Sequence, residues 1–263
     1  MGTQNSSGFT IIETMLFLAV TGLLILGVLI GTGTALNNQR YKDAVESFKV
    51  LLQKQYSDLT SVRNDRSNTW RCDTGATATP DGTEIRGQSN CVIVGKYMRI
   101  DRGEVTVYTV LARQKSTTAR ANDIETLKLN YSYNIASEQI EPGALEWGTQ
   151  IAWPKSGTGA KSPQTPRTIG ILFIRSPDSG SIYTFSTDAI PAKTAIASTT
   201  FTSMMVAGNA IPGQGSRTLC VLSDGMFPSG DMALYINSFA AGPSAIETRS
   251  NDIMVSLGVS SKC

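Results

Sequence analysis

Hydrophobic and polar positions divide this chain into two unequal parts. Residues 9–30, F-T-I-I-E-T-M-L-F-L-A-V-T-G-L-L-I-L-G-V-L-I, are apolar on every side of a helix and carry one ionisable group, Glu13. At ~1.5 Å per residue such a helix covers ~33 Å, enough for the ~30 Å hydrocarbon layer of a bilayer. A lone segment crosses lipid only as a helix, because every peptide group must be satisfied internally, and Gly22 and Gly27 are compatible with that. Further on the pattern changes. Tyr41, Val45, Phe48, Leu52, Tyr56 and Leu59 recur at three- and four-residue spacings, opposite Arg40, Asp43, Lys49 and Gln53. That is the period of an amphipathic helix with one apolar face. The two stretches together predict a helix ~75 Å long. Its first half needs lipid or sister helices, and its second half needs a domain to pack on.

Beyond residue 60 the period shortens to two. Residues 92–100 and 104–112 read as strands joined at Asp101-Arg102-Gly103-Glu104, a hairpin. Residues 113–122 read as an exposed polar segment. The alternation L-x-L-x-Y-x-Y-x-I at 127–135 predicts a strand with Leu127, Leu129, Tyr131, Tyr133 and Ile135 inward. Residues 145–153 predict another, stopped by Pro154, and 155–167, rich in Gly and Pro, an exposed loop. Strands follow at 168–174, 181–186, 217–222 and 232–236, with 253–257 closing the fold. Residues 201–206 are an apolar run, and 144–201 leaves room for a second sheet or an inserted module. The sum is an α+β fold: one long helix, then an antiparallel, hairpin-built sheet.

Composition narrows the chemistry. Of 263 residues 41% are hydrophobic and 17% charged, with 23 basic against 21 acidic side chains and a net charge of +2. That is less charge than the roughly 25% usual for globular domains, and it gives no warrant for a dedicated nucleic-acid protein. There is no histidine, which removes His-based triads and the common zinc sets. No G-x-G-x-x-G or P-loop occurs, and Asp178 and Asp224 belong to turns rather than to a calcium loop. The expectation is a protein that is not an enzyme and has no cofactor or metal. Four cysteines, Cys72, Cys91, Cys220 and Cys263, allow three disulfide pairings. Locality favours Cys72–Cys91 and Cys220–Cys263, and export would favour oxidation.

Glu13 is the anomaly, because an ionised carboxylate near the start of a membrane helix is costly and calls for a partner. A cut before Phe9 would free an α-amino group four residues upstream, on the same or a neighbouring subunit. The run G-F-T-x-x-E, leading straight into an apolar segment, resembles the N-terminus of type IV prepilins and of the pseudopilins of related secretion machines. The resemblance covers roughly the first 50 residues and is architectural beyond them.

The resemblance implies a leader of residues 1–8 and a cut between Gly8 and Phe9 by a prepilin peptidase that also methylates the new N-terminus. It implies Glu13 in subunit registration. Residues 9–30 become the membrane and filament-core segment, 31–60 the amphipathic half of the same helix, and 61–263 an exported β-rich body. Implied partners are sister pilin subunits, an inner-membrane assembly platform, and membrane lipid before assembly. The protein would pass from a single-pass membrane form to a surface filament.

The chain departs from the family in a leader without Lys or Arg and a membrane helix without proline. Arg40 and Lys42, counted alone, place the N-terminus outside, opposite to what an exported body requires. A secretory signal peptide fits worse, with only residues 32–35 as a cleavage site. Pilus subunit, including a minor or adhesive one, and secretion pseudopilin stay open, as does a membrane-anchored surface binding protein that never polymerises. So does a DNA-capturing minor pilin, with Arg113, Lys115, Arg120, Lys155, Lys161 and Arg167 as the phosphate contacts.

Overall fold

A helix of 50 residues, α1 (Ile11–Thr60), runs through the first quarter of the chain without a break. The structure, a computed structural model, describes residues 10–61, 70–80, 84–85, 88–154, 166–205, 217–223, 232–237, 240–256 and 263. After α1 come two short paired strands, β1 (Arg71–Cys72) and β2 (Ala78–Thr79). Next is the hairpin β3 (Cys91–Asp101) and β4 (Glu104–Gln114). Helix α2 (Asp123–Asn130) leads into β5 (Tyr131–Ala144), and a single 3-10 turn precedes β6 (Gln150–Ala152). Then follow β7 (Thr168–Arg175), β8 (Ile182–Thr187), α3 (Ser198–Met204), β9 (Arg217–Leu222), β10 (Met232–Ile236), β11 (Ile246–Ser250) and α4 (Asn251–Ser256).

The strands form two larger antiparallel sheets, ordered β5-β4-β3-β7-β8 and β11-β10-β9-β6. The apolar seam of α1 lies against both. Tyr41, Val45, Phe48, Leu52, Tyr56 and Leu59 share one core with Met98, Ile100, Val105, Val107, Ile171 and Phe173 of the first sheet. Leu219, Val221, Leu234, Ile236 and Ile246 of the second sheet complete that core. The other face of the five-stranded sheet is covered too, as Tyr97, Tyr108, Val110, Leu172 and Phe185 pack with Leu127, Phe201 and Met204. The α+β layout expected from the pattern is therefore present.

The β3–β4 hairpin turns on Arg102-Gly103, with Asp101 opposite Glu104 and Arg102 left-handed at φ 61. A Cβ on Gly103 would sit 2.9 Å from the Thr149 carbonyl oxygen, so only glycine lets the turn approach that segment. Both predicted disulfide pairs are formed: Cys72–Cys91 joins β1 to the start of β3, and Cys220–Cys263 ties the last residue to β9.

Several expectations need correction. Residues 127–130 are not the start of a strand but the end of α2, because Asn122 caps that helix by accepting from Glu125 N at 2.9 Å. Tyr131 and Tyr133 do then point inward along β5. Residues 145–153 give only β6, since Trp147 (φ 55) and Gly148 (φ 69) turn the chain just before it. Residues 253–256 are helical rather than extended. Among the described residues the last strand is β11, after which Ser250 Oγ accepts from Ile253 N at 3.5 Å at the start of α4. The apolar run at 201 belongs to α3, and β4 extends through Gln114 into the segment read as a polar loop. Among the described residues, the second sheet draws only β6 from the region 144–201.

Candidate functional site: the exposed apolar helix

Every large side chain of the first half of α1 faces outward. Ile11, Met15, Phe17, Leu23, Leu26, Leu29 and Leu36 are all more than half exposed, and burial against the body begins at Tyr41. This is the one described helix long and apolar enough to cross a membrane. The segment hides its polar atoms from its surroundings. Thr21 Oγ1 donates to Phe17 O at 2.8 Å, Thr32 Oγ1 to Val28 O at 2.9 Å and Thr34 Oγ1 to Gly31 O at 2.9 Å. Hydroxyls bonded back to the preceding turn can enter hydrocarbon without an unmet donor.

Its start is closed by a reciprocal cap. Thr10 Oγ1 accepts from Glu13 N at 3.3 Å, and Glu13 Oε2 accepts from Thr10 N at 3.4 Å. Glu13 therefore has a partner within its own helix, in addition to any that a freed N-terminus would supply. The T-x-x-E capping signature was in the sequence and identifies this role. Gly8 and Phe9 lie outside the described residues.

The helix is fastened to the body by buried hydroxyls. Tyr41 Oη donates to Val221 O at 2.7 Å and accepts from Met232 N at 2.8 Å, holding α1 to the ends of β9 and β10. Tyr56 and Thr184 hydroxyls meet at 2.8 Å, and Thr184 Oγ1 donates onward to Ala240 O at 2.7 Å. Burial pushes the Tyr56 phenol up to about 12. Thr248 Oγ1 also donates to Glu46 Oε1 at 2.8 Å, so β11 runs alongside the helix.

The basic residues named as phosphate contacts are not brought together as a free patch. Arg167, expected in an exposed loop, is 2% exposed. Its Nε and Nη2 donate to Asp188 Oδ1 at 3.0 and 2.8 Å, its Nη1 donates to Thr218 O at 2.9 Å, and it lies 4.0 Å over the Trp153 ring. Asp188 Oδ2 also accepts from Arg217 Nη1 at 3.2 Å. Burial lowers the Arg167 pKa while the Asp188 carboxylate opposes the fall. Arg113 donates to Cys72 O at 3.2 Å and Arg120 to Asn130 Oδ1 at 2.9 Å, both structural contacts, whereas Lys115 is exposed. Lys155 and Lys161 lie outside the described residues.

Two polar clusters were not foreseen. Asp123, at the start of α2, accepts from Ser176 Oγ at 2.6 Å, Ser179 Oγ at 2.5 Å and Tyr183 Oη at 2.9 Å. Burial alone would raise its pKa, but the three donors hold it below the ordinary carboxylate value. Glu141 accepts from Lys54 at 3.2 Å and Lys96 at 3.1 Å in a cleft of about 420 Å³ between the end of α1 and β5. Both carboxylates are engaged by their own neighbours and act as fasteners. Among the described residues no group of His, Cys, Asp and Glu is arranged to hold a metal ion. Comparison of the chain with known protein families, characterised proteins and solved structures gives no match.

Proposed function

We propose that this chain is a pilin-like structural subunit. It is inserted in a membrane by the first half of α1, cut between Gly8 and Phe9, and assembled with sister subunits into a surface filament. One observation carries the reading: a single uninterrupted helix has an outer half with no cover of its own and an inner half whose apolar face is packed in a β-rich body. The large exposed apolar residues from Ile11 to Leu36 need lipid first and other copies of the same helix afterwards. The G-F-T-x-x-E start and the disulfide-bearing body support the same reading. DNA capture is less well supported, because Arg113, Arg120 and Arg167 are engaged within the fold.

Intact-mass measurement of the assembled protein tests the processing step; retention of residues 1–8 sinks it. Assembly is tested by Glu13→Ala beside Glu13→Gln, since glutamine preserves the reciprocal cap and removes the charge. A role for the charge predicts that both variants stay in the membrane and enter filaments poorly. Normal filament entry of both would deny the charge a role in assembly. An unaltered chain and variants that all stay in the membrane and enter no filament would favour a non-polymerising membrane anchor.

A further inference from the structure

The body has one end from which the apolar helix emerges, and two exposed apolar side chains mark that end. Trp147 is 53% exposed, and the Arg40 guanidinium lies 4.9 Å from its ring centroid. Left-handed backbone at Trp147 and Gly148, unusual for a bulky aromatic, swings the ring out beside α1. Ile253, 48% exposed, belongs to α4. That helix follows Ser250, which sits opposite Met232, whose N–H bonds Tyr41, so α4 starts level with Tyr41.

The position of the bilayer along α1 can be read from its charges. With residues 9–30 in hydrocarbon, Glu13 would lie ~6 Å inside and Arg40 ~15 Å beyond the far edge. Residues 15–36 also span ~33 Å, matching the ~30 Å layer. In that register Glu13 falls ~3 Å outside one edge and Arg40 ~6 Å outside the other, both within headgroup layers ~5–7 Å deep. Thr32 and Thr34, the polar groups this moves inward, are bonded to their own helix.

Resting on the membrane-span reading above, we propose that residues 15–36 are the segment in hydrocarbon and that Trp147 is an interfacial anchor. Its ring lies in the headgroup layer of a lipid bilayer, with Arg40 stacked on it and directed at lipid phosphate. Tryptophan takes this position because its body is apolar and its N–H is polar, and a basic side chain beside it gains from anionic lipid. The body thereby rests on the membrane rather than standing clear of it.

The test uses the full chain and its Trp147→Phe variant in phosphatidylethanolamine–phosphatidylglycerol vesicles, the difference between them being Trp147 emission. Lipids brominated near the headgroup end of their chains should remove at least half of that emission, and lipids brominated near the methyl end much less. If the chain floats with the vesicles but neither lipid quenches Trp147, the anchor is overturned and the span stands. A chain that does not float with vesicles overturns both. Emission that changes with protein-to-lipid ratio, without bromine quenching, overturns the anchor in favour of a sister body covering this end.

Discussion

Asp188 holds two arginines at the seam between the sheets, and its removal should expose how far the fold depends on a buried ion cluster. Arg167 is 2% exposed and Asp188 27% exposed by side chain, so the cation is almost dry while the carboxylate retains some water. Asp188→Ala deletes the acceptor of Arg167 Nε and Nη2 and of Arg217 Nη1. Arg167 keeps only Thr218 O and the face of Trp153. Breaking a buried pair from one side typically costs ~3–5 kcal/mol, since an uncompensated charge stays behind. Partial exposure of Asp188 argues for the lower end, about 3 kcal/mol. The assay is urea unfolding of the full chain in a mild detergent, for Asp188→Ala, Arg167→Met and the double variant. Removing the stranded cation should recover much of the loss, leaving a coupling of about 2 kcal/mol. A cost below ~1 kcal/mol for Asp188→Ala, as for an exposed pair, would refute the reasoning.

Three further outcomes are expected. Tyr56 and Tyr97 are raised by burial from 10.0 to about 12, so the native state keeps protons that the unfolded chain loses; stability should be fully present below pH 10 and fall between 10 and 12, and a flat profile of thermal midpoints there would contradict it. Cys263→Ser, which frees the chain end from β9, should cost ~2–5 kcal/mol, and Cys72→Ser, confined to the β1–β3 junction, less; denaturant midpoints under non-reducing conditions decide the order. Tyr41→Phe should cost ~1–3 kcal/mol in the same unfolding assay by stranding Met232 N–H and Val221 O, and a neutral substitution would deny the hydroxyl its fastening role.

The long helix and the central hairpins were legible because their periodicities are sustained and both ends of each strand carry turn residues. What misled was local. Leu127 and Leu129 fit a period of two as well as the end of a helix, and only the N-x-x-E cap at Asn122–Glu125 distinguishes the two. The same kind of signal, Ser250 before Asn251-Asp252, separates α4 from a strand. Arg167 looks like a loop residue by its Pro and Gly neighbours, and its burial depends on Asp188, Thr218 and Trp153, which converge only through the pairing of distant strands. Of the helix site, Glu13 was visible as a charge in an apolar run, and its cap with Thr10 was visible as a motif. The exposure of Trp147 was not, because it follows from a left-handed turn that no neighbouring residue demands.

The absence of any interruption in α1 gives the protein the mechanics of a rod. Gly27, Gly31 and Gly33 sit within it, yet the helix continues through all of them to Thr60. The apolar half continues as the same helix into the half clamped in the body by Tyr41 and Tyr56. Angular motion of the one is therefore delivered to the other. The 24 residues after Leu36 extend ~36 Å, so a tilt of ~20°, ordinary for a membrane helix, displaces the far end of the body sideways by ~12 Å and turns its whole surface through the same angle. Force applied to the body is in turn transmitted to the apolar segment as leverage instead of being absorbed by a linker.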